Sequence, residues 1–334
     1  MMKLLRLLNQ ISATRFGLRA VRTGHLYRWQ TEPGRAGTVG TTCLPDGASI
    51  WLRRDNPVLV DLVARYAAFD SRVIRPVRWT PDKLSDRDLL WFRGDNAFLW
   101  QVRGLNLNPL AYALCYYHFL ASDEGRLLDR LGEDDLFGVH LFEFNDRPVS
   151  RDLLDSAGEI QFLQRHLGLG SNFARVLDIG AGYGRLAWRL EQVFGQAIQV
   201  FATDAFAPAT FICDYYLRFR GARTAVVPVD EVDALLSDTP IDLAINVHSF
   251  SECSPEAVDW WVERLSAHRV RHLFIVPNAG TKGGFECQAA DGINIEPIVA
   301  RHGYRLVACE ARYSDPFVQE HGIDPVAFHL FELR

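Results

Sequence analysis

The stretch Arg175-Val-Leu-Asp-Ile-Gly-Ala-Gly-Tyr-Gly-Arg185 decides how this chain is read. Val176 and Leu177 lead into Asp178, and glycines then follow at alternate positions, Gly180, Gly182 and Gly184. This predicts a buried strand ending in Asp178, then a turn tight enough to need the three glycines. Leu186, Ala187, Leu190, Val193 and Phe194 recur at helical spacing until Gly195, so a helix should follow the turn. A strand, a glycine turn and a helix make a corner where a nucleotide can lie against bare backbone.

The spacing argues against a dinucleotide. That fingerprint is G-x-G-x-x-G; here its last glycine would fall on Arg185, and Gly184 comes one residue early. Asp178 also stands where a dehydrogenase strand usually ends in an apolar residue. A carboxylate there suits a cationic ligand, because it accepts charge-assisted hydrogen bonds from an ammonium group. S-adenosylmethionine carries an ammonium at its methionine end, with a sulfonium beside it.

Further strands are expected at 197–202, 224–228, 241–247 and 272–277, with a closing pair at 304–309 and 328–333. Asp204 follows 197–202, the second strand of the chain's sheet, 24 residues beyond Gly180, where a carboxylate can take both ribose hydroxyls; capping the next helix would be a plainer role. Asp230 follows the third strand and is placed for the adenine amino group, though Glu231 and Asp233 are acidic neighbours. Val176-Leu-Asp-Ile-Gly-Ala-Gly182 closely resembles the first motif of the class I S-adenosylmethionine-dependent methyltransferases. The expected fold is therefore α/β, a Rossmann-like seven-stranded sheet of five parallel strands and a terminal hairpin.

Ligands of open α/β sheets bind beyond the carboxyl ends of the strands. The segment after the fourth strand, Asn246-Val-His-Ser-Phe-Ser-Glu-Cys253, is more polar than a connector requires. Ser254 and Pro255 should cap and start the next helix. Methyl transfer to a hydroxyl needs alignment and removal of a proton. His248 is the candidate base, since imidazole titrates near neutrality. Glu252 is placed to orient that ring or to act as base itself, or simply to serve the following helix. A divalent ion such as Mg²⁺ would find ligands in His248, Glu252 and Glu286 or Asp291, but no tight ligand spacing favours one.

This loop, with Pro277-Asn278, Glu133-Asp-Asp-Leu-Phe-Gly138 and Pro148-Val-Ser150, is similar to the sugar O-methyltransferases, a bacterial group associated with deoxysugars and other secondary-metabolite glycosides. The resemblance covers roughly 130–280. It implies that Asp178, Gly180, Gly182 and Asp204 bind the cofactor and that the His248 loop faces the acceptor. Ala181 and Tyr183 in the turn, and Asn246 at the end of the fourth strand, complete the expected cofactor contacts.

The length of 334 residues suggests two domains: 150–334 as the cofactor-binding sheet, and 1–149 as a mostly helical cap for substrate or oligomerisation. Helical spacing recurs in 57–66, 110–120 and 127–131, while 86–100 reads as an uncertain, helix-compatible stretch. Trp91, Phe92, Tyr116 and Tyr117 could stack on a sugar, though a core role is favoured. The first half is net positive and the second net negative, summing to −5. That total, with no basic stripe, argues against nucleic acid. Six basic residues precede the first acid, Glu32, and a leucine cluster lines one helical side of 1–28. Packing on the cap or on a second subunit is favoured there over contact with an anionic membrane surface. Six scattered cysteines without a Cys-x-x-Cys pair suit a reducing cytoplasm. The reading is an S-adenosylmethionine-dependent O-methyltransferase of a sugar or glycoside hydroxyl. A methyltransferase of a non-sugar metabolite, or a non-catalytic cofactor-binding subunit, are its alternatives.

Overall fold

The computed structural model describes residues 43–74, 84–96, 100–101, 109–122, 126–279 and 283–334. The expectations for 1–28 lie outside the described residues. Seven strands form one sheet: β1 (Ala174–Ile179), β2 (Ile198–Thr203), β3 (Ala225–Val226), β4 (Leu243–Val247), β5 (His272–Val276), β6 (Tyr304–Ala311) and β7 (Ala327–Leu333). Their order across the sheet is β6-β7-β5-β4-β1-β2-β3. Strands β1 to β5 run parallel, while β7 lies antiparallel to both β5 and β6. The Rossmann-like sheet with its terminal hairpin is thus as expected. Both faces are covered, so Val176, Leu177, Ala244, Ile245, Phe274 and Ile275 are buried without alternation, as central parallel strands should be.

The chain winds outward from β1 through β2 to β3, then returns to place β4 on β1's other side. The crevice at this switch point is where α/β sheets bind ligands. The helices that frame it are α1 (Pro57–Ala67), α2 (Pro109–Ser122), α3 (Arg151–Leu167), α4 (Arg185–Phe194), α5 (Ala207–Phe219) and α6 (Pro255–Ala267). Ser150 caps α3 by accepting from the Leu153 amide, and Gly168 ends it in the left-handed conformation. Ser254 caps α6, with Pro255 at its first position, as the sequence indicates.

The N-terminal helices join the same buried cluster as the sheet. Tyr66 of α1 bonds to Thr210 of α5 at 2.9 Å and accepts from the Val229 amide at 3.0 Å. Phe92 and Tyr116 are core residues. Among the described residues of 86–100, only Asp86–Leu90 is helical; Asp95–Asn96 instead pairs with Trp100–Gln101 as a two-stranded ribbon. The helix stops because the Trp91 backbone leaves helical geometry and the Arg93 amide donates to Phe137 rather than continuing the turn.

Arg93 has no exposed side-chain surface. Its guanidinium meets Glu133 at 2.6 Å, Asp134 at 2.7 Å and Asp152 at 3.1 Å. Glu133 is equally buried and also pairs with Arg189 of α4 at 2.8 Å. Burial opposes ionisation of Glu133, but Arg93 and Arg189 outweigh it and hold its carboxyl below the usual range. Removing one partner from such a cluster strands the others. Arg93→Ala should therefore cost about 3–5 kcal/mol, measured as a fall in the denaturant midpoint.

Candidate functional site

Register builds the site. Ile179 at the end of β1 pairs with Thr203 of β2 and Asn246 of β4. The chain then turns through Gly180, Gly182 and Gly184, all with positive φ. A side chain at Gly180 would collide with Ser249, and one at Gly184 would press on Cys213 and Leu217 at 3.0 Å. These glycines let the turn pass under the β4 loop and over α5.

Protein acceptors take most of the turn's amides. Gly180 and Ala181 donate to the Thr203 carbonyl at 2.9 and 3.1 Å, and Gly184 donates to Ala181 at 2.9 Å. Gly182 donates to Asp204 Oδ2 at 3.0 Å. A diphosphate would need such amides free and convergent, so the corner is a poor cradle for a dinucleotide.

Carboxylates dominate the crevice. Asp178 is 3 % exposed, and no hydrogen bond to its carboxylate occurs among the described residues. Burial raises its pKa to about 7; Arg185 opposes this, while Glu159 and Asp204 add to it. Arg185 itself is occupied by Glu159, at 2.8 and 3.0 Å, and by Ser156. Asp204 accepts from the Gly182 and Phe206 amides at 3.0 and 2.8 Å. Burial nevertheless raises it to about 6, with Glu252 contributing. It does not cap α5, whose N-cap is Phe206. A buried carboxylate without a cation, and a second one beside it, favour a ligand that brings positive charge and hydroxyl donors.

Three of the expected contact residues have side chains engaged within the protein. The Asn246 side chain, 0 % exposed, is spent inside the protein. It donates to the Ile179 carbonyl and Ser249 Oγ and accepts from the Phe250 amide, at 2.8–2.9 Å. It latches the loop instead of lining a cavity. Tyr183 turns its buried ring into the core against Phe92 and Tyr216, and its hydroxyl donates to Asp152. Only its main chain belongs to the turn. Asp230 is held by Arg65 of α1 in a two-point pair at 2.9 Å.

His248 has φ 65°, a left-handed conformation uncommon for a non-glycine residue and frequent at functional sites. Its amide donates to the Val276 carbonyl at 2.6 Å, and Ser251 Oγ accepts from Asn278 at 3.0 Å. The loop is thereby tied to the Pro277–Asn278 segment. The imidazole Nε2 lies 3.3 Å from Oδ2 of Asp324, a residue that sequence reasoning missed. Arg312 and Arg151 each approach Asp324 at 3.2 Å, and both also pair with buried Asp155. Burial works against ionised Asp324, yet Arg312, His248 and Arg151 hold its carboxyl well below the ordinary range. Glu252 lies on the Asp204 side. An open pocket of about 780 Å³, lined by Tyr116, Glu133, Arg147 and Gln192, sits by the far end of α4 and does not belong to this site.

No family model and no curated protein matches the sequence. Solved structures do. An S-adenosylmethionine-dependent methyltransferase from Aquifex aeolicus is similar at 19% identity over 52% of this chain and 87% of its own, with a TM-score of 0.37. Magnesium protoporphyrin IX methyltransferase from Synechocystis, with its cofactor bound, is similar at 13% identity over 65% and 94%, with a TM-score of 0.39. Mitomycin 7-O-methyltransferase is similar at 16% identity over 54% and 57%, with a TM-score of 0.36. At these identities the likeness is one of fold.

Proposed function

We propose that this protein is an S-adenosylmethionine-dependent O-methyltransferase acting on a hydroxyl of a sugar or glycoside. The observation that carries the reading is the carboxylate pair Asp178 and Asp204, at a switch-point turn whose amides are largely taken. That donor set fits a ligand with an ammonium and a ribose: Asp178 would hold the ammonium and Asp204 the ribose hydroxyls. When bound, the cofactor supplies a methyl group activated by its sulfonium. The chain's own part is to align the acceptor, exclude water and take up a proton. Alignment in near-attack geometry is worth about 7–11 kcal/mol. His248 Nδ1 or Nε2 would receive the hydroxyl proton, and Asp324 would steady the ring and balance the charge it gains.

The acceptor class rests on the sequence resemblance and on this pair. An alcohol holds its proton far above neutral pH and needs a base during transfer, whereas a phenol loses its proton near pH 10 and needs less. Calorimetric titration with S-adenosylmethionine and S-adenosylhomocysteine, with and without Mg²⁺, tests the cofactor step. Micromolar binding that is indifferent to Mg²⁺ and is lost in Asp204→Ala is expected. No binding of either ligand would overturn the reading. Binding without turnover across a panel of glycosides would point to the non-catalytic alternative.

A further inference from the structure

A second constellation lies on the sheet's other functional margin, where the segment after β5 folds back onto the terminal hairpin. Cys287 Sγ, a Glu296 carboxylate oxygen and a His329 ring nitrogen all lie within 4.8 Å of one another. Cys287 and His329 are both 0 % exposed. Among the described residues this is the only such group of three or more, and it includes none of His248, Glu252, Glu286 or Asp291.

Each ligand comes from a different element. His329 is in the middle of β7, with Ile275 of β5 on one side and Cys309 of β6 directly opposite on the other. Glu296 opens the short helix Glu296–Arg301, and its amide donates to Asn294 Oδ1 at 2.9 Å. Cys287 is fixed by the Ile295 amide, which donates to its carbonyl at 2.8 Å. The surroundings are costly as they stand. Neither His329 nitrogen meets full hydrogen-bond geometry, although the ring approaches the Phe285 and Ala327 backbone and a buried imidazole normally finds good partners.

We propose that Cys287, Glu296 and His329 form a structural zinc site, with Cys309 closing the fourth position. A divalent cation resolves each strain at once: it occupies the imidazole lone pair, neutralises Glu296 and displaces the Cys287 proton to solvent as the sulfur–metal bond forms. Thiolate and imidazole together select zinc over Mg²⁺ or Ca²⁺. Tetrahedral bonds of 2.0–2.3 Å place ligand atoms about 3.5 Å apart, a side-chain adjustment away from the spacing observed. Opposed residues in an antiparallel pair share a face, so Cys309 stands on the same side as His329. The metal would clip the segment beyond β5 to the hairpin, independently of the methyl-transfer reading.

The test is metal content of the full chain after zinc loading and dialysis, with cobalt substitution as a spectroscopic probe. About one zinc per chain is expected, with a thiolate-to-cobalt charge-transfer band and tetrahedral d–d bands. Cys287→Ser should abolish the band. Glu296→Gln, half-buried and isosteric, should weaken zinc at least about tenfold while the chain stays folded. Exposed Cys309→Ala should alter the cobalt spectrum and keep the metal. The proposal fails if zinc is substoichiometric, or if neither Cys287→Ser nor Glu296→Gln changes its retention. A Cys287–Cys309 disulfide in zinc-loaded protein would also overturn it.

Discussion

Asp178→Asn should weaken S-adenosylmethionine binding by about a hundredfold and remove most of its pH dependence. A hydrogen bond to a charged group contributes about 1.5–3 kcal/mol, and 2.7 kcal/mol corresponds to about two decades in affinity. The pH signature is more specific than the loss itself. The Asp178 carboxyl titrates at about 7 in the folded chain, against a reference of 3.8. Between those values the folded state keeps a proton that the unfolded state has lost. Its contribution therefore falls as pH rises through that window and levels off above pH 7, reaching about 4 kcal/mol of destabilisation. A cationic ligand prefers the ionised carboxylate, so affinity should climb as pH passes 7 while the ligand-free protein becomes less stable. Calorimetry and thermal melts on either side of pH 7 check both trends. Asp178→Asn should flatten the step near 7 and leave a smaller one near 6, from Asp204. Unchanged affinity in this variant would remove the cofactor assignment at its root.

His248→Ala should lower kcat by about 10²–10⁴-fold, the usual contribution of a positioned base, with cofactor affinity unchanged within about twofold. Asp324→Asn separates a catalytic role from a merely structural one. Arg312 and Arg151 would each retain Asp155, so the chain should still fold. Without the Asp324 carboxylate the ring loses its support, so kcat should fall, by less than in His248→Ala, while cofactor affinity is kept. Glu252→Gln should instead show itself in the cofactor dissociation constant, because Glu252 acts on Asp204. Full turnover in His248→Ala would end its role as base. An unchanged kcat in Asp324→Asn would reduce that residue to packing.

Much of this was legible in sequence because it is local. Buried parallel strands write themselves as apolar runs, as in Val176-Leu177, and a turn with three positive φ values writes itself as glycines. The Ser150 and Ser254 caps are equally short-range. What escaped depends on residues that meet only after folding. Nothing near His248 in sequence announces Asp324. Arg65 reaches Asp230 across 165 positions. Asn246 looked like a ligand contact because it is polar at a strand end, and only its closed set of hydrogen bonds shows it to be a latch. The aromatic run of 86–100 imitated a helix, whereas Arg93 is drawn out of one by acids on the far side of the core. The motifs Glu133–Gly138 and Pro148–Ser150, noticed as resemblance, turn out to frame that ionic cluster.

The cluster also bears on how such a protein can change over generations. Arg93 and Glu133 come from the N-terminal side, Asp152 and Arg189 from the sheet side, and none can lose its counterpart without leaving a buried charge. The N-terminal half is thus not an interchangeable lid. Substitutions at these positions on the two sides of residue 150 must travel in compensating pairs.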